Sequence, residues 1–168
     1  SNVGVVIVVG IEKIKNSHMC PYRIQNRLMR LHSLSGLGDF QTLLKHGWKI
    51  TIDVTPHDLL IYADKGLFIR VVSNFLENAS EATGEDGHIT INACIDDHEA
   101  IIIDISNDGQ LIPDDVAAHI FIPFFTTKKE GSGIGLPISR QIMRISNGAL
   151  ILLSDKERGI ATFRMIFY

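Results

Sequence analysis

Cysteine is scarce in this chain. The two residues, Cys20 and Cys94, lie far apart and fit no metal or redox motif. That excludes a disulfide scaffold and leaves two free thiols of a reducing compartment as the expectation. Long hydrophobic runs are missing too. The apolar stretch Val3 to Val9 contains Gly4 and falls far short of the roughly 20 residues that span a bilayer. Only Ser1 and Asn2 precede it, so no charged n-region of a signal peptide is present, and no membrane contact is expected of the chain. Basic residues are not in excess. Lys and Arg number 16 against 19 Asp and Glu, a net charge of -3, which argues against a nucleic-acid partner. There is no Gly-Lys-Ser/Thr of a P-loop, no internal repeat and no low-complexity tract.

What is there suffices for a folded domain. The 168 residues are 45% hydrophobic, enough to bury one core. Residues 1 to about 46 are the least readable. Val3 to Val9 reads as a buried strand or the end of a truncated hydrophobic segment. Ile24, Leu28 and Leu31 have helical spacing, so a short amphipathic helix is expected over 22–34, with Ser35-Gly36-Leu37-Gly38 as a break. From Trp48 the pattern clears. Ile50, Ile52 and Val54 alternate with polar residues, and Pro56 ends that strand. Leu59 to Ala63 is a second. Asp64 is placed to cap a helix to about Thr83, whose apolar stripe is Leu67, Phe68, Val71, Val72, Phe75, Leu76, Ala79 and Ala82.

A hairpin follows, 89–95 and 101–105, turning at Asp96-Asp97-His98. Asp114 is expected to cap a short helix to about His119. A second long helix is expected over 135–146, ended by Asn147-Gly148. Two last strands follow, with Ala161, Phe163, Met165 and Phe167 facing inward and a turn at Asp155 to Gly159. Runs of adjacent strands imply a mixed, mostly antiparallel sheet with helices on one face. The expected fold is α+β, a two-layer α/β sandwich. The expected division is 1–46 and 47–168.

Four places carry chemistry. Asn74 and Asn78 are four apart on one helix face and can orient phosphate oxygens or ligate a hard cation. Taken alone, they fit surface asparagines on a helix better. Asn107 and Gly109, where a central strand leaves the sheet, can meet the amino group and ring of a flat ligand, or form a plain turn. Gly131-Ser132-Gly133-Ile134-Gly135 opens a helix and so makes an anion site or a flexible turn, with Lys128 and Lys129 alongside to neutralise polyphosphate. Thr162 either adds a hydroxyl to the same pocket or is an ordinary strand residue.

In order and type these stretches resemble one family. Asn74-Phe75-Leu76-Glu77-Asn78-Ala79 looks like the asparagine box of sensor histidine kinases, and Asn107-Asp108-Gly109-Gln110 like their first glycine box. Phe121-Ile122-Pro123-Phe124-Phe125 looks like the phenylalanine box, and Gly131 to Leu136 like the second glycine box. Gly159-Ile160-Ala161-Thr162-Phe163 resembles the closing glycine–threonine segment. The likeness covers roughly 49–168. Phe124-Phe125-Thr126-Thr127-Lys128 running into the glycines points to histidine kinases over the gyrase, Hsp90 and MutL branches of the Bergerat fold.

The resemblance implies an ATP-binding domain that transfers the γ-phosphoryl group to a histidine, with Mg²⁺ as cofactor. It implies a cytoplasmic site of action, a histidine-bearing dimerisation domain as partner, and a response regulator downstream. Asn78 would ligate Mg²⁺, Asn74 would contact phosphate or the metal shell, and Asn107 would recognise the adenine amino group beside Gly109. Thr126, Thr127, Lys128, Gly131, Gly133, Gly135 and Leu136 would hold the phosphates under a lid anchored by Phe124 and Phe125, and Thr162 would support the adenine.

The sequence departs from the family pattern in places. The family's Asp is Asn107, which keeps the acceptor oxygen and drops the charge, and its second glycine is Leu111. The ATPase branches carry a water-activating Glu where Asn74 stands, so transfer to a delivered nucleophile is expected over hydrolysis. None of the seven histidines fits the acceptor pattern. His18 is followed by Met19 and has Pro21 three on. The expectation is therefore an excised catalytic domain that does not phosphorylate itself, with 22–34 as the tail of a dimerisation hairpin or unrelated. The competing function is a nucleotide-binding or protein-interaction module of the same fold without turnover.

Overall fold

The computed structural model describes residues 11–12, 26–30, 49–84, 86–129 and 131–168. Strand β3 (Lys49–Thr55) presents Ile50, Ile52 and Val54 to the interior and its polar residues to solvent, as its alternation dictates. It is an edge strand. Its neighbour is β5 (His88–Ile95), to which it runs parallel with Lys49 opposite His88. The connection between them holds β4 (Leu60–Asp64) and helix α1 (Lys65–Ala82). Asp64 caps α1 as expected, its Oδ1 accepting from Leu67 N at 3.0 Å. The stripe Phe68, Val71, Val72, Phe75, Leu76 and Ala79 is buried. The helix ends where Thr83 Oγ1 donates to Ala79 O at 2.6 Å, one residue ahead of Gly84.

β5 and β6 (Ile101–Asn107) form the expected hairpin, closed by Asp96 Oδ1 accepting from His98 N and Ala100 N. β6 is the middle of a five-stranded sheet, in the order β3-β5-β6-β8-β7. Ile102 and Ile103 are therefore buried on opposite faces. A single-turn helix α2 (Asp114–Ala117) follows. Its cap position is Pro113, and Asp114 is already inside the helix, so the expected Asp114 cap is corrected by one residue. Proline at the cap makes no side-chain bond. Helix α3 (Gly135–Ile145) ends at Asn147, which takes a left-handed φ of 55°. β7 (Gly148–Asp155) and β8 (Ile160–Phe167) close the sheet as an antiparallel pair.

One core lies between this sheet and the two long helices. Ile89, Ile91 and Ala93 of β5, Ile103 and Ile105 of β6, and Phe163, Met165 and Phe167 of β8 meet α1 and α3 there. Phe75 stacks on Phe163 with centroids 4.9 Å apart and planes 5° from parallel. On the opposite face Asp104 and Arg164 face each other across β6 and β8, joined by two hydrogen bonds of 2.8 and 2.7 Å. The carboxylate holds the Arg164 guanidinium protonated above its ordinary range. The expected mixed, mostly antiparallel sandwich is what forms, with β3–β5 as its parallel pair.

Two expectations are overturned. β4 does not pair with its sequence neighbour β3. It joins a second sheet, in the order β1-β2-β4, with β1 at Ile11–Glu12 and β2 at Asn26–Arg30. The helix expected over 22–34 is at its centre the strand β2, antiparallel to β4 with Leu28 opposite Tyr62. Three apolar residues at helical spacing define too short a helix to stand alone. The free edge of β4 offers backbone donors and acceptors that need partners, and pairing wins. The expected strand Val3 to Val9 lies outside the described residues.

Candidate nucleotide site

The candidate residues gather where α1, the loop after β6 and the start of α3 converge. Asn74 and Asn78 share the face of α1 that looks toward α3. Asn74 Nδ2 donates to Ser139 Oγ at 3.1 Å, and Ser139 is fully buried. The other side of the Asn74 amide packs against Gly135, where a Cβ would overlap Asn74 Oδ1. The glycine that opens α3 is thus needed for α3 to approach α1. α3 begins without a side-chain cap and with no acidic residue in its first turn. The N–H groups of Gly135 and Leu136 at its N-terminus are left free of intrahelical partners, which favours an anion.

The segment before α3 is a closed loop. Phe124 N donates to Gly133 O at 2.9 Å, fastening its two ends. Both residues have left-handed backbones, φ 68° at Phe124 and 67° at Gly133. Phe124 is itself 80% exposed, while Phe125 packs at 5.5 Å on the His119 ring. Within the loop Thr126 Oγ1 accepts from Lys128 N at 3.1 Å, and Gly131 N donates to Lys128 O. Thr127 and Lys129 are exposed. Lys128 reaches back to α1, donating to Asn78 Oδ1 at 2.6 Å and pairing with Glu81. An amide oxygen and a carboxylate therefore already converge on one cation.

At the far end, Asn107 closes β6 and is 4% exposed. The loop beyond it is tied to the last turn of α1, with Gln110 N donating to Ala82 O at 2.9 Å. Gly109 sits so close that a Cβ would collide with the Ala82 carbonyl. The need for glycine here is packing against the protein itself, beyond any ring it admits. Buried donors are nearly always paired. Among the described residues two buried side-chain nitrogens have no partner, Asn78 Nδ2 and Asn107 Nδ2. Both lie in this region, on α1 and at the end of β6.

Asn74, Asn78, Asn107, Gly109, Lys128, Gly131, Gly133, Gly135 and Leu136 are thus brought to one region, with Thr126 shaping the loop. Thr162 is not. It lies opposite Ser106 in the register, and its Oγ1 meets Ser106 Oγ at 2.8 Å on the outer face of the sheet. The residue beside Asn107 on the inner face is Ala161. Strand parity sets this correction: with Ala161 and Phe163 buried, Thr162 must point away. Ser139 is the residue that sequence reasoning missed, while Glu81, which reads with Glu77 as a solvated face, is exposed and pairs with Lys128. Ser139 is four beyond Gly135, so helical spacing would have found it.

Comparison with known proteins agrees with this picture. Residues 63–167 match the family described as histidine kinase-, DNA gyrase B-, and HSP90-like ATPase. The catalytic domain of the histidine kinase ThkA, in a nucleotide-free form, superposes with a TM-score of 0.69 at 30% identity, covering 77% of this chain and 84% of that one. A second ThkA structure, in complex with response regulator protein TrrA, gives 0.64 at 28% identity, covering 77% of this chain and 36% of that one. In sequence the chain is 32% identical to the sensor protein CreC of Escherichia coli over 116 residues, which is 67% of this chain. It is 30% identical to the sensor histidine kinase ZraS of Salmonella typhi over 152 residues, or 89% of this chain. The match spans 24% of CreC's length and 32% of that of ZraS. The chain belongs to the histidine kinase-, gyrase B- and HSP90-like ATPases, as an ATP-binding domain of the histidine kinase branch.

Proposed function

We propose that the cleft between α1, the loop after β6 and the start of α3 binds Mg·ATP and presents the γ-phosphoryl group to a histidine on a separate dimerisation domain. The observation that carries this is the convergence of two buried amide nitrogens without partners, Asn78 Nδ2 and Asn107 Nδ2, an uncapped helix start and a lysine loop on one region. Residues 47–168 act as the catalytic unit, with 26–30 lending β4 a neighbouring strand. As a user of ATP the unit works in the cytoplasm. A response regulator is the downstream partner by analogy with ThkA, which forms a complex with TrrA.

Asn107 takes the base, and the free N–H groups of Gly135 and Leu136 take phosphate oxygens. Lys128 is the mobile cation. It now rests on Asn78 and Glu81, and phosphate draws it across to the nucleotide. Asn78 Oδ1, a hard oxygen already turned to a cation, is then the group that would hold Mg²⁺. Mg²⁺ supplies neutralisation of phosphate charge when bound. Asn74 is committed to Ser139 and Gly135, so it positions α3 against α1. Being an amide, it activates no water, and the chain's contribution to transfer is positioning and charge.

Titration calorimetry with a non-hydrolysable ATP analogue and Mg²⁺ tests the site. Asn78→Ala is expected to weaken binding about tenfold, near 1.4 kcal/mol. Equal affinity in wild type and variant would remove Asn78 from the site. Reconstitution with the dimerisation domain of the parent protein tests the transfer, and the absence of phosphohistidine there would overturn it. Lys128→Ala has two opposed effects, loss of a phosphate contact and release of Asn78. Its expected signature is weaker analogue binding, by about threefold, with reduced salt dependence.

A further inference from the structure

We infer that Asn107 opens this site to 6-oxopurine nucleotides as well as adenine nucleotides. The inference rests on the nucleotide-site reading above and names the class of base it takes. A carboxylate at this position offers only acceptors, and only a donor such as the adenine 6-amino group can meet it. An amide offers an acceptor and a donor. Turning it by 180° about its last torsion exchanges the two, so it can match a 6-amino or a 6-oxo group.

The surroundings leave that donor free. Asn107 is 4% exposed, and its Nδ2 has no partner. Its register neighbours are Ile89 on β5 and Ala161 on β8, which carry no side-chain acceptor. The nearest hydroxyls on β6 and β8, Ser106 and Thr162, bond each other on the opposite face. Gly109 brings no side chain to the amide, since its missing Cβ would lie 3.0 Å from Nδ2. A buried N–H₂ with no protein acceptor is satisfied by a ligand that carries one. Adenine N1 does so beside its 6-amino group, and the 6-oxo group of guanine or hypoxanthine does so beside an N1–H that donates to the amide oxygen.

The test is calorimetric titration of the whole chain, with Mg²⁺, using ADP, IDP and GDP. Wild type is expected to bind IDP within about tenfold of ADP. GDP separates the two sources of a 6-oxo group, because its 2-amino group must also be housed. Binding of IDP alone assigns the 6-oxo preference to hypoxanthine nucleotides, and binding of both extends it to guanine. Asn107→Asp is expected to raise the ratio of IDP to ADP dissociation constants at least about tenfold, because a carboxylate repels the 6-oxo oxygen. A thermal melt checks that this near-isosteric variant folds, and the wild-type comparison stands without it. If wild type binds ADP but neither IDP nor GDP, or if Asn107→Asp leaves the ratio unchanged, the inference is wrong while the site survives. A chain that binds none of the three overturns both.

Discussion

Gly133→Ala is expected to lower ATP-analogue affinity about a hundredfold, near 2.7 kcal/mol, while the melting temperature falls only slightly. Two costs coincide at this residue. Its φ of 67° is left-handed, which disfavours any side chain by about 1–2 kcal/mol. A Cβ there would also lie 2.6 Å from Phe124 C, 2.7 Å from Phe125 O and 2.9 Å from Phe124 Cα. All three are backbone atoms and cannot rotate aside. The loop escapes by giving up the Phe124 N to Gly133 O bond, which is what holds Phe124 in its own left-handed conformation. The core does not feel this, but the ends of the lysine loop separate.

Two other glycines separate the causes. Gly159 has the same φ of 67° and nothing within 4 Å of its missing Cβ. Gly159→Ala is expected to lower the melting temperature by a few degrees, roughly 2–4 °C per kcal/mol, with affinity unchanged. Gly131 would meet Thr126 Oγ1 and the Lys128 side chain, which are exposed and can move. Gly131→Ala is expected to change affinity less than about threefold. Wild-type affinity in Gly133→Ala would show that the latch is no part of the nucleotide site.

The contrast between these glycines shows where sequence reading reaches its limit. Alternating Gly131, Gly133 and Gly135 identify an anion loop by residue type. Only the fold reveals that Gly135 clears the Asn74 amide and Gly109 the Ala82 carbonyl. Those are contacts between segments distant in the chain. Local signals were sufficient wherever the element made its own case: the Asp64 cap, the stripe of α1, the β5–β6 turn and the inward set of β8. They failed where pairing was non-local. β3 aligns with β5 across an entire helix, and β4 turns to β2, where the helical spacing of Leu28 with Ile24 and Leu31 carried no weight against an open strand edge. Thr162 is a different kind of miss. The parity that put Ala161 and Phe163 inside already pointed it outward, and the family likeness outweighed the period of two.

The asparagines of α1 depend on a residue that touches no ligand. Phe75→Ala is expected to destabilise the protein by about 3–5 kcal/mol, the usual cost of emptying an aromatic site in a core. Phe75 has no exposed surface and stacks on Phe163, the closer of the two ring pairs, with Phe68 and Phe167, that join α1 to β8. For a domain whose total stability is about 5–15 kcal/mol, that is a large share. The melting temperature should fall by about 10 °C or more.

The effect on ligand differs in kind from that of Gly133→Ala. Asn74 and Asn78 flank Phe75 on the same helix, and in molecules that remain folded they keep their places. Affinity per folded molecule should then hold within about threefold, while nucleotide raises the melting temperature of the variant as it does that of wild type. A double-mutant cycle with Phe163→Ala isolates the stacking itself. The two single losses should exceed the double loss by about 0.5–1.5 kcal/mol. Phe124→Ala, at an exposed ring, should by comparison cost less than about 0.5 kcal/mol in stability. A Phe75→Ala variant that melted within a degree or two of wild type would mean that α1 is not held to the sheet through this pair.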